Sequence, residues 1–159
     1  MTDILLPIVD NSERGAPEAL IANDGFFPDI DPARFSEEMR IRDVVTSARR
    51  RRALVDAIIT IGNQLAAWRD GRLLGGIASL DTVASPRIDG ESRLVQLYRS
   101  AVYSEAKAKL IERYRDADIT RAGKDQVEDL DPAIGELRRD AIPAVRDMLG
   151  TTRTAIELI

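Results

Sequence analysis

Apolar residues along this chain recur in two rhythms, a helical one through most of its length and a strand-like one at its end. From Ala48 to about Arg69, Leu54, Ile58, Ile61, Leu65 and Trp68 follow alternating steps of four and three, the spacing of one buried helix stripe. Ala53, Ala57, Gly62, Ala66 and Ala67 flank that stripe and predict a close-packed partner helix, with Gly62 costing roughly 1 kcal/mol in helix propensity. A third helix is expected to open at Asp89-Gly90-Glu91-Ser92 and run to about Arg115. Leu94, Leu97, Ala101 and Ala108 line one of its faces and Val95, Val102, Ala106 and Leu110 another, so it should be the central helix. Ile134, Leu137, Ala141, Val145 and Met148 give a fourth, ended by Gly150. Pro143 inside it removes the hydrogen bond to the Arg139 carbonyl and predicts a kink or a break.

The remaining segments are read from their punctuation. Asp31 is placed to cap a short first helix, Pro32 to Arg42, with Ile30 and Phe35 as its hydrophobic staple. Residues 1–30 carry Ile4-Leu5-Leu6 and Ile8-Val9 between Pro7, Gly15, Pro17, Gly25 and Pro28, without helical period, and are expected to be an extended arm. Residues 70–88 read as a long connection holding a short turn around Ile77 to Val83. Residues 116–130 read as an acidic loop with Asp116, Asp118, Asp125, Glu128 and Asp129, after which Asp131-Pro132 repeats the capped start. Thr152, Thr154, Ile156 and Leu158 alternate with Arg153, Ala155 and Glu157, a period of two that predicts a strand in need of a partner. That partner is the arm, a sheet on another protein, or the chain's own body. The expected fold is therefore all-α: a small bundle of about four helices over 31–150, with an extended N-terminal arm (1–30) and a strand-like C-terminal tail (151–159).

Composition narrows the chemistry. The 159 residues include no cysteine and no histidine, which removes disulfides, thiolate nucleophiles, the usual zinc sites and histidine bases. No apolar run approaches the length of a membrane span, and no basic-then-apolar leader is present, so a cytoplasmic origin is expected and no membrane partner. A net charge of −4 argues against a general affinity for nucleic acid.

Arg49-Arg50-Arg51-Arg52 is the conspicuous charge run, and four cations at a helix start oppose the dipole. Either the helix begins earlier, near Glu37, or the arginines meet acidic groups or phosphates; solvated or intramolecular placement, an acidic protein partner and nucleic acid all stay open. A small DNA-binding or regulatory module using Arg49 to Arg52 is the rival functional reading. The same helix surface continues as Asp56, Thr60, Gln64 and Asp70, which favours a protein partner. Glu37-Glu38, Asp29-Asp31 and Asp129-Asp131 form no recognisable acid/base or metal set, and Asp31 and Asp131 already serve as caps. Tyr98, Tyr103 and Tyr114 do not share one helical stripe, which favours packing over base stacking. No phosphate loop, nucleophile elbow or metal signature is present, so no catalytic, cofactor or metal residue is assigned and no enzymatic activity is expected.

Three blocks give the chain a resemblance. They are Phe26-Phe27-Pro28-Asp29-Ile30-Asp31-Pro32 with Glu38-Met39-Arg40-Ile41; Ile88-Asp89-Gly90-Glu91-Ser92 with Tyr98, Ala101 and Val102; and Glu112-Arg113-Tyr114-Arg115 with Leu130 to Asp140. In that order, over about residues 26 to 148, the chain resembles the GPL family of head completion/stabilisation proteins of contractile-tailed temperate phages. Pro143 and Gly75-Gly76 depart from the family pattern. The resemblance implies a structural virion protein of the neck, between head and tail, made in the host cytoplasm. After DNA packaging its copies would form a ring on the portal protein, twelvefold like the portal, help retain the genome and offer a platform to the tail terminator or another neck protein. Packaged DNA would pass through without sequence-specific binding. Thr152, Arg153, Thr154, Ile156, Leu158 and Ile159 are the expected docking residues for the portal or a neighbouring subunit, and Arg49 to Arg52 an expected charged interface between copies.

Overall fold

A computed structural model describes residues 18–42, 45–118 and 130–150. Among the described residues the chain folds into four α-helices: α1 (Pro32–Glu38), α2 (Ser47–Leu74), α3 (Arg93–Asp118) and α4 (Leu130–Leu149). They are accompanied by a 3-10 turn, Leu80–Thr82, and by one two-stranded antiparallel sheet of β1 (Arg87–Ile88) and β2 (Glu91–Ser92). The protein is thus mostly helical.

Each helix boundary has a local cause. Asp31 accepts a hydrogen bond from the Ala33 N–H at 2.8 Å and Pro32 takes the first helical position, as the sequence predicts. α1 stops at Glu38 rather than Arg42, because the Met39 and Arg40 N–H groups turn back to Phe35 and Glu37 and Arg40 adopts φ 51°. Thr46 caps α2 through its hydroxyl, which accepts from Arg49 N–H at 3.4 Å, so the helix does not begin near Glu37. It also runs past Gly71, an exposed glycine whose cost of about 1 kcal/mol is too small to end a 28-residue helix. α4 is continuous through Pro143, so of the expected kink or break the break does not occur. Its first turn includes Leu130, which places Asp131 and Pro132 inside the helix instead of at its cap. Gly150, at φ 68°, ends it.

The start of α3 differs from expectation. Asp89 and Gly90 have φ 52° and 74°, two successive left-handed residues between paired strands, which is the two-residue type I′ hairpin. Asp89 to Ser92 therefore close a hairpin, and α3 begins only at Arg93.

α3 is the central element, packed most extensively on α4 and next on α2. Asp56 meets Arg113 at 2.5 Å and Thr60 meets Lys109 at 3.0 Å, so α2 runs antiparallel to α3. Arg138 meets Glu112 at 2.8 Å and Asp147 meets Arg93 at 3.1 Å, so α4 is antiparallel to α3 as well. The predicted stripe of α2 is buried at Leu54, Ile61 and Leu65, with Ile58 and Trp68 partly buried against the core. Ala53 and Ala57 provide the close approach; Gly62 and Ala67 take no part in it, since Gly62 faces open space and Ala67 is exposed.

Residues 18–30 correct the picture of a loose arm. They are irregular except for a bridge in which Ile21 and Ile30 exchange N–H···O bonds of 2.8 and 3.0 Å. Yet Ile21, Phe26, Phe27 and Ile30 are all buried core residues. The rest of the expected arm (1–17), most of the acidic loop (119–129) and the strand-like tail (151–159) lie outside the described residues.

Candidate functional site

The four arginines of α2 grip their own chain. Arg50 donates to the Val45 carbonyl at 2.8 Å and pairs with Glu18 at 3.1 Å, its side chain mostly covered. Arg51 donates to the carbonyls of Ala19 and Leu20 at 2.9 and 3.4 Å. Arg52 pairs with Asp56 at 3.2 Å, one turn along α2, and Arg49 also has an interaction within the chain. The conflict with the helix dipole is thereby offset by carbonyl and carboxylate oxygens of the same molecule. The arginine run acts as a clasp on residues 18–20, which disfavours the DNA-binding reading.

The block Phe26 to Pro32 is an internal scaffold. Asp24 accepts the Phe26 and Phe27 N–H groups, each at 3.0 Å, and pairs with Arg69 of α2 at 2.8 Å. Gly25, at φ 89°, lets the chain turn there. Phe27 stacks on Tyr98 of α3 with ring centroids 4.5 Å apart, and Phe26 packs edge-on against Phe27 and Trp68. Asn23 donates to the Tyr98 hydroxyl at 2.8 Å and to the Pro28 carbonyl at 3.1 Å, while Asp29 accepts the Asn23 N–H. Burial pushes the Tyr98 hydroxyl up to about 12. Tyr98 and Tyr103 thus serve packing, both buried and Tyr103 set edge-on against Phe35; the Tyr114 side chain lies outside the described residues.

The hairpin closes one side of a polar surface cleft of ≈ 280 Å³ whose walls include Arg34, Asp89, Glu91, Arg99, Ser100 and Tyr103. Four of its charges are matched in pairs: Arg99 holds both carboxylate oxygens of Glu91, and Arg34 pairs with Glu38 at 2.5 Å. Arg113, from the third block, ties α3 to Asp56 of α2. The three blocks therefore do not converge on one reactive centre. Phe26 to Pro32 anchors the N-terminal segment, Asp89 to Glu91 builds the hairpin, and Arg113 links two helices. Asn23, Asp24, Arg69 and Arg99 were not singled out from the sequence; the Asp24-Gly25 and Asp89-Gly90 pairs are turn signals that could have found their surroundings.

Three carboxylates make this framework acid-sensitive. The Arg99 hydrogen bonds hold Glu91 below its ordinary 4.5. Burial alone would raise Asp24 and Asp56 above 3.8, but N–H bonds from Phe27 and Phe26 with Arg69 outweigh it for Asp24, and Arg113 with Arg52 for Asp56, so both are lowered. A folded-state value below the unfolded one gives stability that is present above the unfolded value and lost as pH falls through the folded one. The urea midpoint should be nearly flat from about pH 6 to 8, since no histidine titrates there, and should fall below about pH 4. An unchanged midpoint at pH 3 would contradict these pairings.

Among the described residues no group of three or more Asp or Glu is arranged to hold a metal ion, and no helix is long and apolar enough to cross a membrane. The arrangement is one of ion pairs and turns that fix surfaces.

Comparison with known proteins agrees with a structural reading. The chain is 37% identical over 142 residues to the head completion/stabilization protein of Escherichia phage P2, covering 89% of this chain and 84% of that protein. It is 26% identical over 144 residues to the probable head completion/stabilization protein of Haemophilus phage HP1, covering 89% and 93%. No solved structure matches it significantly. The profile of the phage head completion protein (GPL) family matches residues 21–159, from the buried Ile21 bridge through all four helices, and the chain belongs to that family.

Proposed function

We propose that this protein is a non-enzymatic head completion protein that acts as the adaptor between head and tail. In this reading its copies gather as a ring on the portal once DNA is packaged, twelvefold to match it, help hold the genome in, and present a platform to the tail terminator or another neck protein. DNA passes through the ring without being read. The work is mechanical, and its energy comes from surfaces joining, with no cofactor.

One observation carries this reading: Glu18 and Gly150, the outermost described residues, stand toward opposite ends of α3, each beside an ion pair. Arg50 and Arg51 clasp Glu18 to Leu20 beside the start of α2 and hence near the α3 end marked by Arg113. Gly150 lies just after Asp147, which pairs with Arg93 at the other end. A 26-residue helix is about 39 Å long, so Glu18 and Gly150 stand far apart. A subunit that joins two different partners needs such opposed attachment points.

Thr152, Arg153, Thr154, Ile156, Leu158 and Ile159 are then the residues that dock on the portal by strand addition, where main-chain bonds supply affinity and alternate side chains supply register. Deleting residues 151–159 should abolish co-sedimentation with portal rings while leaving the thermal transition within about 1 to 2 °C of the intact protein, because no described core residue is removed. A truncated protein that still decorates portals would overturn this assignment. Retention on DNA at moderate salt would favour the nucleic-acid reading instead.

A further inference from the structure

α2 and α4 each keep a face that the body does not use. On α2, positions 59, 66 and 73 are two turns apart on one line and hold Ile59, Ala66 and Leu73. Ile59 is 55% exposed and Leu73 46% exposed. Ala66 between them is only half-buried, and Gly62 beside it has nothing within 4 Å of where a Cβ would stand, so the middle of this line is a dent. On α4, positions 135, 142 and 149 form the matching line. Gly135 is exposed, and Ile142 and Leu149 are 47% and 38% exposed. Arg139 and Arg146 lie on the exposed side of α4 next to these apolar residues, and Arg146 also has an interaction within the chain, whereas Asp70, already paired with Arg69 at 2.9 Å, stands on the α2 face with its side chain 59% exposed.

Because α2 and α4 are both antiparallel to α3, they run in the same direction. A neighbouring copy brought alongside by a small rotation about a ring axis therefore presents its α2 parallel to α4 of the first. Parallel helices with apolar residues repeating every seven positions pack in layers. Setting 135 opposite 59 places Gly135 against Ile59, Ile142 against Ala66, and Leu149 against Leu73. The first two layers match a large side chain with a small one, and the same offset sets Arg146 opposite Asp70. We infer that successive copies of this chain join head to tail through α4 of one and α2 of the next, Ile142 seated in the dent at Gly62 and Ala66. This rests on the ring reading above and assigns its interface. Two different patches on each copy leave one of each free at the ends of any open assembly, which is the property that lets a ring close. An antiparallel or self-matching arrangement would stop at a dimer.

The chain has no cysteine, so introduced thiols are its only ones. Intact protein carrying both Ala66→Cys and Ile142→Cys, assembled into phage particles and oxidised, should give a ladder of dimer, trimer and higher species. Neither single variant should exceed a trace of dimer, and Gln64→Cys with Ile142→Cys, off the proposed line, should remain monomeric. Ile142→Asp, at an exposed position, should leave the melting curve unchanged and lower incorporation into particles at least tenfold. Particles that contain the double-cysteine protein at the neck but yield only monomer would overturn the interface and leave the adaptor reading standing. Protein located away from the neck would overturn the adaptor reading, and the interface with it.

Discussion

Phe27→Ala should destabilise the protein by about 3 to 5 kcal/mol, the usual cost of deleting a buried phenylalanine ring. Phe27 is 3% exposed, stacks on Tyr98 across an 8° interplanar angle and meets Phe26 edge-on at 5.1 Å. Its removal strips one face of Tyr98, whose hydroxyl is fixed by Asn23, and leaves a cavity between residues 18–30 and α3 that neighbouring helices cannot collapse to fill. A domain of this size has a total stability of about 5 to 15 kcal/mol, so the transition should fall by roughly 10 °C or more in a calorimetric melt. Leu20→Ala is the internal control. Leu20 belongs to the same segment but is 56% exposed, and its loss should cost under about 0.5 kcal/mol. If residues 18–30 were a loose arm, both variants would behave alike.

Asp24→Ala should cost about 2 to 3 kcal/mol, because the carboxylate is the shared acceptor of two backbone N–H groups and an arginine, and those donors would be left without it. Asp24→Asn separates the contributions. Its side-chain oxygen can still accept from Phe26 and Phe27, and only the charge facing Arg69 is lost, so the cost should be about half. Both variants should also flatten the acid limb of the stability profile, since the lowered Asp24 titration no longer exists in either. Urea titrations of the three proteins at pH 7 and pH 3 measure both effects. A wild-type-like midpoint for Asp24→Ala at pH 7 would show that the turn does not depend on its aspartate.

These predictions concern segments where pattern reading and tertiary contact disagree. A stretch such as Asn23-Asp24-Gly25-Phe26-Phe27 has neither helical nor strand period, so nothing in its rhythm distinguishes a free arm from a packed one. Its burial follows from aromatic side chains finding Tyr98 and Trp68, some 70 and 40 positions away. The hairpin was legible in principle, since Asp-Gly is the commonest type I′ pair, but with strands of only two residues each it offers almost no alternation to read. The arginine run shows the same limit. Its charge is plain in the sequence, and its neutralisation by Glu18 and the carbonyls of Ala19, Leu20 and Val45 depends on how the N-terminal segment crosses α2.

By itself the sequence determined the bodies of the four helices, the main buried stripe of α2, the caps at Asp31 and Gly150, and the absence of thiol or imidazole chemistry. Those properties depend on residues one turn apart, and periodicity records them directly. Only the tertiary structure decided that residues 18–30 belong to the core, that Arg50 and Arg51 clasp Glu18 to Leu20, and that α4 stays continuous through Pro143. Each of these depends on groups distant in sequence, whose meeting is set by the joint packing of α2, α3 and α4 and leaves no local pattern.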